Sequence, residues 1–574
     1  RYSPSQPTNS VKARSFEELG GCPFRRLFVI GQTYELNAEP QFQRGSFDPS
    51  KFLKGTVCLL NQSYELGWPI DWSTSVSPRP SHLWRFQLHY HEFLLDLIRD
   101  DKQWPVVWQT IEHWLVNNLL SDKRVLDDAW HPYCISRRIP VWLKLLASDS
   151  SLEAARQRVI LKSAFDQADH LAHNLETDLR GNHLLENYHA LAMAGCYFTG
   201  SQPTRWLEIV KQGLAAELKT QVLPSGEHFE RSPMYHCVVL GNLLQLAIAS
   251  RDVDEALYEL VSGYARLMLK FLDGITMPDG EIPLLADSCF AEAASVDLIQ
   301  QWQNHLAREV DTGKPQNESN KNEIAETVGD YWVHRRLNDM LLFDAGPVAA
   351  EQLPAHGHCD LLNVVGAVNG RRLIVDSGNG SYDLDKVRTY CRSSVAHNVL
   401  TIDDLDHCDV WSKFRMGYKG RPTTLKTGVV ESNERQFHWA KSSHDAYAPS
   451  GVANVTRVVA SDQAEMFWIC LDQLSPDAQG ATHKLDGFLH FSPDAIPSID
   501  ESGELSIRFK PTDCKEAQVY RVGFLGIDSW VLAKSWQCPQ FGLKIDNYSV
   551  MYTANSNRST MLGWYICPLN SGSV

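Results

Sequence analysis

The chain lacks several things that would narrow its role at once. In 574 residues there is no uninterrupted apolar run of about 18 residues, the length that marks a membrane-spanning helix. Its 13 cysteines form no CxxC pair and no zinc-finger spacing, so neither a disulfide framework nor a cysteine-built zinc site is implied. Mostly free, buried thiols are the expectation. Positive charge is short too: 54 Lys and Arg against 69 Asp and Glu leave a net charge of −15. That excludes the broad basic footprint of a non-specific nucleic-acid binder. A local basic cleft can still outweigh the global sign, and Arg124, Arg137, Arg138 and Arg231 could line one. The opening "RYSPSQPTNSVKARSFEELGG" has no apolar segment of the signal-peptide kind.

What is present reads as a large globular chain. Hydrophobic residues make up 43%, with 17 Trp and 19 Tyr, which excludes a disordered chain. Most of these aromatics belong in cores, while exposed ones suit stacking on sugar rings. The length allows two or three domains.

The pattern along the chain divides it. Residues 1–80 are mixed and turn-rich, ending in "STSVSPRP". Residues 81–310 carry apolar side chains at helical spacing, in segments such as "WPVVWQTIEHWLVNNLL" and "ALYELVSGYARLMLKFLDGI". Eight or more helices with short loops predict a bundle, solenoid or toroid. Residues 311–330 are polar and read as a linker. From 331 to 574 the period becomes two, with Gly, Asn and Asp turns, predicting an antiparallel β-sandwich.

Four stretches carry side chains suited to chemistry. "AHGHCDLLNVVGAVNGRRLIVDSG" (355–378) reads as strand, hairpin turn and strand. It would place His356 and His358 on one face, with Asp376 on the next strand and His397 starting another. Imidazole and carboxylate from neighbouring strands suit zinc or another divalent transition metal, and Asp360 competes as a ligand. Exposed polar residues at strand ends would look the same.

In "RGNHLLENYHALAMAG", Asn182 and His183 stand at a predicted helix start, where Asn also serves as an N-cap. In "PSGEHFERSPMYHCVVL", Ser232 and Pro233 predict an N-cap and first helical residue. Tyr235 then falls in the first turn, where the helix dipole would lower a phenol's pKa. Glu227, Glu230 and Arg231 precede it. "DDAWHPYCISRRIPVWL" sets Trp130, Tyr133, Arg137 and Arg138 at a helix entry. Aromatic rings and guanidinium forks there suit an acidic sugar.

Taken in order, "GNHLLEN", "ERSPMYH", "AHGHCD", "LIVDSG" and "SSVAHNVL" resemble the heparinase II/III-like polysaccharide lyases, over roughly residues 60–470. The resemblance implies an α+β multidomain chain: an incomplete (α/α) toroid followed by a C-terminal antiparallel β-sandwich. It implies β-elimination on uronic-acid-containing glycosaminoglycans such as hyaluronan, chondroitin sulfate or heparan sulfate, with alginate or a bacterial surface polysaccharide as alternatives. Tyr235 and His356 correspond to catalytic residues, and Asn182 or His183 to the group that neutralises the uronate carboxylate. Tyr133, Trp130, Arg137, Arg138, Glu230 and Arg231 would bind substrate. His358, Asp376 and His397 match a mainly structural site for one divalent metal, zinc or alternatively manganese. An acidic polysaccharide is the expected partner, with no nucleic acid and no membrane span; a homodimer is an option. A secreted or periplasmic bacterial location is favoured. The rival is a toroid glycoside hydrolase using Asp127 or Asp128 with Glu227, Glu230 or Asp279, or a non-catalytic carbohydrate-binding protein.

Overall fold

The computed structural model describes residues 47–149, 151–308, 323–432, 434–475, 480–511, 518–556 and 561–569. Its first half is two concentric layers of helices. His82–Tyr90, Pro132–Ser148, Gly181–Tyr197, Pro233–Ser250 and Val296–Arg308 follow one another as neighbours in an inner row. Trp104–Asn117, Ala154–Ala172, Ser201–Gln221 and Glu255–Ile275 form the outer row against them. This is an incomplete (α/α) toroid.

Position in the layers explains composition. The outer helices bury one stripe, whereas Gly181–Tyr197 and Pro233–Ser250 are buried almost all round, so they read as apolar on every face. Pro233–Ser250 is long and apolar enough to cross a membrane, but 89% of it is buried inside the helical domain. The described part of the N-terminal segment joins this domain: Phe52, Val57, Leu59, Ile70 and Trp72 lie in the same core as the helices.

The second half contains five-, eight- and four-stranded antiparallel sheets and one small two-stranded ribbon. The five-stranded sheet is a meander of Glu323–Val328, Tyr331–Arg336, Asp339–Asp344, Val364–Val368 and Arg371–Ile374. Its alternation shows why the halves dock. Trp332, Leu341 and Phe343 face the core shared with the eight-stranded sheet. Their neighbours Tyr331, Val333, Met340 and Leu342 pack on Phe271 and Ile275 of the helix Glu255–Ile275, as a period of two requires. The strand Glu323–Val328 lies inside the segment expected as a linker, so the sandwich begins before 331; residues 311–322 of that linker are outside the described ones.

One local expectation differs. His356 ends a short 3₁₀ turn, Pro354–His356, and His358 lies in the irregular run before Val364–Val368. Pro354 and a left-handed Leu362 (φ 63°) interrupt the strand. The two histidines therefore do not share a strand face.

Candidate active site

The cleft lies where the inner helices meet the sandwich. Tyr133, Arg137, Asn182, His183, Glu230 and Tyr235 line it from the helical side, and His356, Tyr382, Lys413 and Phe414 from the other.

Ser232 caps the helix that carries Tyr235, its Oγ accepting from the Tyr235 N–H at 3.3 Å. The phenol hydroxyl lies 2.8 Å from that of Tyr382. Its ring packs on His356 with centroids 4.1 Å apart. Burial raises the Tyr235 phenol well above its usual 10, opposite to the lowering expected from the helix dipole. Desolvation outweighs the dipole at this depth. Tyr235 therefore rests as an acid.

His356 is held by a residue that the sequence did not single out. Asp287, on the loop after Glu255–Ile275, stands 2.9 Å from His356 Nδ1 and 2.8 Å from His358 Nε2. It also forms a buried ion pair with Arg388, whose second nitrogen is 3.0 Å away. Burial pushes the Asp287 carboxyl up, but Arg388 and the two histidines outweigh it and hold it well below 3.8. An ionised Asp287 requires N–H on His356 Nδ1, which leaves His356 Nε2 as the proton-accepting atom. Glu230 Oε2 is 3.5 Å from that nitrogen, too long for a strong hydrogen bond but close enough to stabilise an imidazolium.

Glu230 also fixes Asn182, accepting from its backbone N–H at 2.9 Å and from Nδ2 at 2.8 Å. The chain reaches this pose through two consecutive left-handed residues, Arg180 (φ 59°) and Gly181 (φ 59°). A Cβ on Gly181 would run into the Glu230 carboxylate. Asn182 Oδ1 is buried with no hydrogen-bond partner, an acceptor left over for a ligand. His183 donates Nδ1–H to Glu176 at 2.9 Å and packs on Tyr133 with centroids 4.2 Å apart.

Other expected binding residues separate. Arg137 reaches the cleft, paired with Glu92 at 2.7 Å and Glu186 at 3.3 Å. Arg138 does not: it is fully buried, donates to Gln167, His89 and Ala129, and lies 4.1 Å from the centre of the Trp114 ring. Trp130 is buried with its N–H on the Asn118 carbonyl. Arg231 bonds to Glu227 and Asp330 and lies off the cleft. These three are core or scaffold residues, because their side chains already bond within the protein. Of the basic candidates, Arg124 is on the surface with Asp122.

The hydrolase candidates disperse as well. Asp128 pairs with Arg85, Glu227 with Arg231 and Asp279 with Arg372. Of the named carboxylates, Glu230 alone lines the cleft.

Behind His356 lie the expected metal ligands. His358 donates Nε2–H to Asp287, and burial lowers its pKa to about 4, leaving a lone pair on Nδ1. His397 Nδ1 lies 2.7 Å from Asp376, leaving Nε2. Both His358 Nδ1 and His397 Nε2 are buried without partners, on rings 5.3 Å apart. Asp376 Oδ2 also accepts from Asn363 at 2.6 Å, and Oδ1 from the Gly378 N–H. It is therefore placed to orient His397 rather than to offer a free ligand oxygen. Asp360, buried nearby, is pushed to about 8 by desolvation.

Both halves of this architecture match models of one family. The sequence model described as "Heparinase II/III N-terminus" matches residues 48–311, and "Heparinase II/III-like, C-terminal" matches 325–544; the chain belongs to the heparinase II/III-like family. A heparin-sulfate lyase of Pedobacter heparinus is 25% identical over 373 residues, 59% of this chain and 55% of that protein, so the match spans about half of the relative. A crystal structure titled "Heparinase III" covers 93% of this chain and 87% of its own, at 16% identity and TM-score 0.69. A mutant heparan sulfate lyase of Pedobacter heparinus covers 94% and 86%, at 18% identity and TM-score 0.59. These likenesses establish the toroid-plus-sandwich fold.

Proposed function

We propose that the protein is a polysaccharide lyase that cleaves uronic-acid-containing glycosaminoglycans by β-elimination. The observation that carries this is the Tyr235–His356–Asp287 arrangement: a buried neutral phenol beside an imidazole whose free nitrogen is set by a carboxylate. Such a pair supplies an acid and a base side by side in one cleft. The Pedobacter heparin-sulfate lyase gives independent support for the substrate class.

The chemistry follows from the groups present. A uronate C5 proton becomes acidic when its carboxylate is neutralised, and Asn182 and His183 stand where that group would lie. Asn182 Oδ1 is an unused acceptor, so it favours a protonated carboxyl, while an imidazolium at His183, its Nδ1–H held by Glu176, would donate Nε2–H. His356 Nε2 takes the C5 proton, and Asp287 and Glu230 stabilise the resulting imidazolium. Tyr235 gives its proton to the departing O4, and transfer of the C5 proton from the imidazolium to the phenolate then restores both groups. His358 and His397 would hold a divalent ion through their unpaired nitrogens. Its part is to fix the loop that carries His356, and no proton passes through it.

The cations at the cleft favour a sparsely sulfated polymer. Arg137, Arg180 and Lys413 are each already paired with carboxylates, so little positive charge is left for sulfate groups. The test is ultraviolet absorbance of unsaturated uronate ends on heparan sulfate, heparin, hyaluronan, chondroitin sulfate and alginate, with Tyr235→Phe as control. A rise lost in the variant supports elimination. New reducing ends without absorbance would replace it with hydrolysis.

A further inference from the structure

On the far side of the five-stranded sheet's domain core, three side chains converge that the elimination chemistry does not use. Glu323 is on the edge strand Glu323–Val328 and His334 on its neighbour, one diagonal step away in the register. His438 comes from Arg435–His444 in the eight-stranded sheet, between Val429 and Ser461. Glu323 Oε1 lies 3.4 Å from His334 Nε2 and 3.1 Å from His438 Nε2. Each of the three residues has a ligand atom within 4.8 Å of the others. The two imidazoles stack at 5.2 Å, and Trp332 also stacks on His334 at 6.0 Å.

These distances suit an ion better than hydrogen bonds alone. At 3.4 Å the Glu323–His334 contact exceeds a normal N–H···O hydrogen bond. Ligand atoms at zinc bonds of about 2.0–2.1 Å stand roughly 3.3 Å apart at the edges of a tetrahedron. Two imidazole nitrogens and one carboxylate oxygen are a donor set that zinc prefers over calcium or magnesium. His334 is 2% exposed, while His438 and Glu323 are 20% and 23% exposed. The ligands are thus anchored on the inner side and open on the outer, where water completes the coordination.

We propose that Glu323, His334 and His438 form a Zn²⁺ site, separate from the His358–His397 pair, that pins the edge strand of the five-stranded sheet to the eight-stranded sheet. One ion joins three strands from two sheets at the point where the chain enters the sandwich. It restrains an edge strand that otherwise has a neighbour on one side only.

The full chain, stripped with chelator and dialysed against Zn²⁺, is measured for bound zinc by mass spectrometry, beside His438→Phe and Glu323→Gln. Phenylalanine keeps the stacking on His334 but has no ligand atom, and glutamine keeps the size of Glu323 but loses its charge. Expected is one equivalent of zinc lost in His438→Phe and affinity at least tenfold weaker in Glu323→Gln, with circular dichroism unchanged. Zinc should also raise the wild-type melting temperature by more than that of either variant. If both variants bind as much zinc as the wild type with equal affinity, the three residues form an ion-pair cluster only and the proposal fails. His397→Ala separates the two sites: it leaves the zinc-dependent difference between wild type and His438→Phe in place.

Discussion

Replacing Asp287 by Asn removes one charge and no volume, at a carboxylate that holds three partners. Arg388 is 1% exposed and, among the described residues, its side chain has no other carboxylate partner; its remaining bonds go to Asn379 and the Lys413 carbonyl. Leaving that guanidinium uncompensated costs about 3–5 kcal/mol of folding stability. The amide also has one acceptor only. If Oδ1 stays with Arg388, Nδ2 faces His356 Nδ1, and the imidazole must place its proton on Nε2. The base is then blocked. The same carboxylate-to-amide change beside a catalytic histidine elsewhere lowers kcat about 10⁴-fold, and a fall of about 10³–10⁴ is expected here. Denaturant unfolding followed by circular dichroism, and initial rates of unsaturated uronate formation, read the two effects separately. The double variant Asp287→Asn with Arg388→Gln should regain most of the stability and none of the rate. A single variant that keeps kcat within about tenfold of wild type refutes the role of Asp287 in setting the His356 tautomer.

Tyr235→Phe should lower kcat by about 10²–10⁴ with stability changed by about 1 kcal/mol, one hydrogen bond to Tyr382 being lost; a smaller rate effect would move the acid elsewhere. Arg137→Met tests the cation between Glu92 and Glu186. Burial alone would raise the Glu186 carboxyl, but Arg137, His189 and Asn242 bring it to about 2. A carboxyl that titrates near 2 rather than 4.5 adds about 3 kcal/mol to stability. That share is complete above pH 4.5 and is lost as pH falls towards 2. The variant's deficit in urea should therefore be present at pH 7 and shrink below pH 4.5; a deficit independent of pH would contradict the assignment. His397→Ala should abolish the ion binding proposed at His358 and His397 and lower kcat while leaving KM within about twofold, since neither residue lines the cleft. Parallel zinc content and steady-state rates check this.

The helical and sheet halves were legible because period is local: the change from 3.6 to two falls where the toroid gives way to the sandwich. Ser232 and Pro233 announced a helix start for the same reason. Asn182, Tyr235 and His356 came from motifs and do meet in one cleft. Asp287, Tyr382 and Arg388 were not singled out, since only docking of the two halves brings these loop and short-helix residues to the site. "LLADS" contains Asp287 but carries no period and no cap to single it out. Arg137 and Arg138 show the converse. Adjacent positions on a helix point about 100° apart, so two neighbouring arginines cannot face one cleft. The cleft received the first, and the second supports the tryptophans beneath. His356 and His358 were set on a strand by alternation alone, and the proline before them ended that pattern.

The proposed acid and base ride on different halves of the chain, Tyr235 on an inner helix and His356 on a loop of the sandwich. Their distance is therefore a property of how the halves are seated, not of either half's own packing. A rigid-body opening wide enough to thread a polymer would separate the phenol from Tyr382 and from the imidazole in one movement. Reseating would rebuild them together. On the proposed lyase reading, cutting would be gated mechanically: a polymer lying across both halves would help hold the joint closed, and a shortened product, bridging less of the seam, would let it relax.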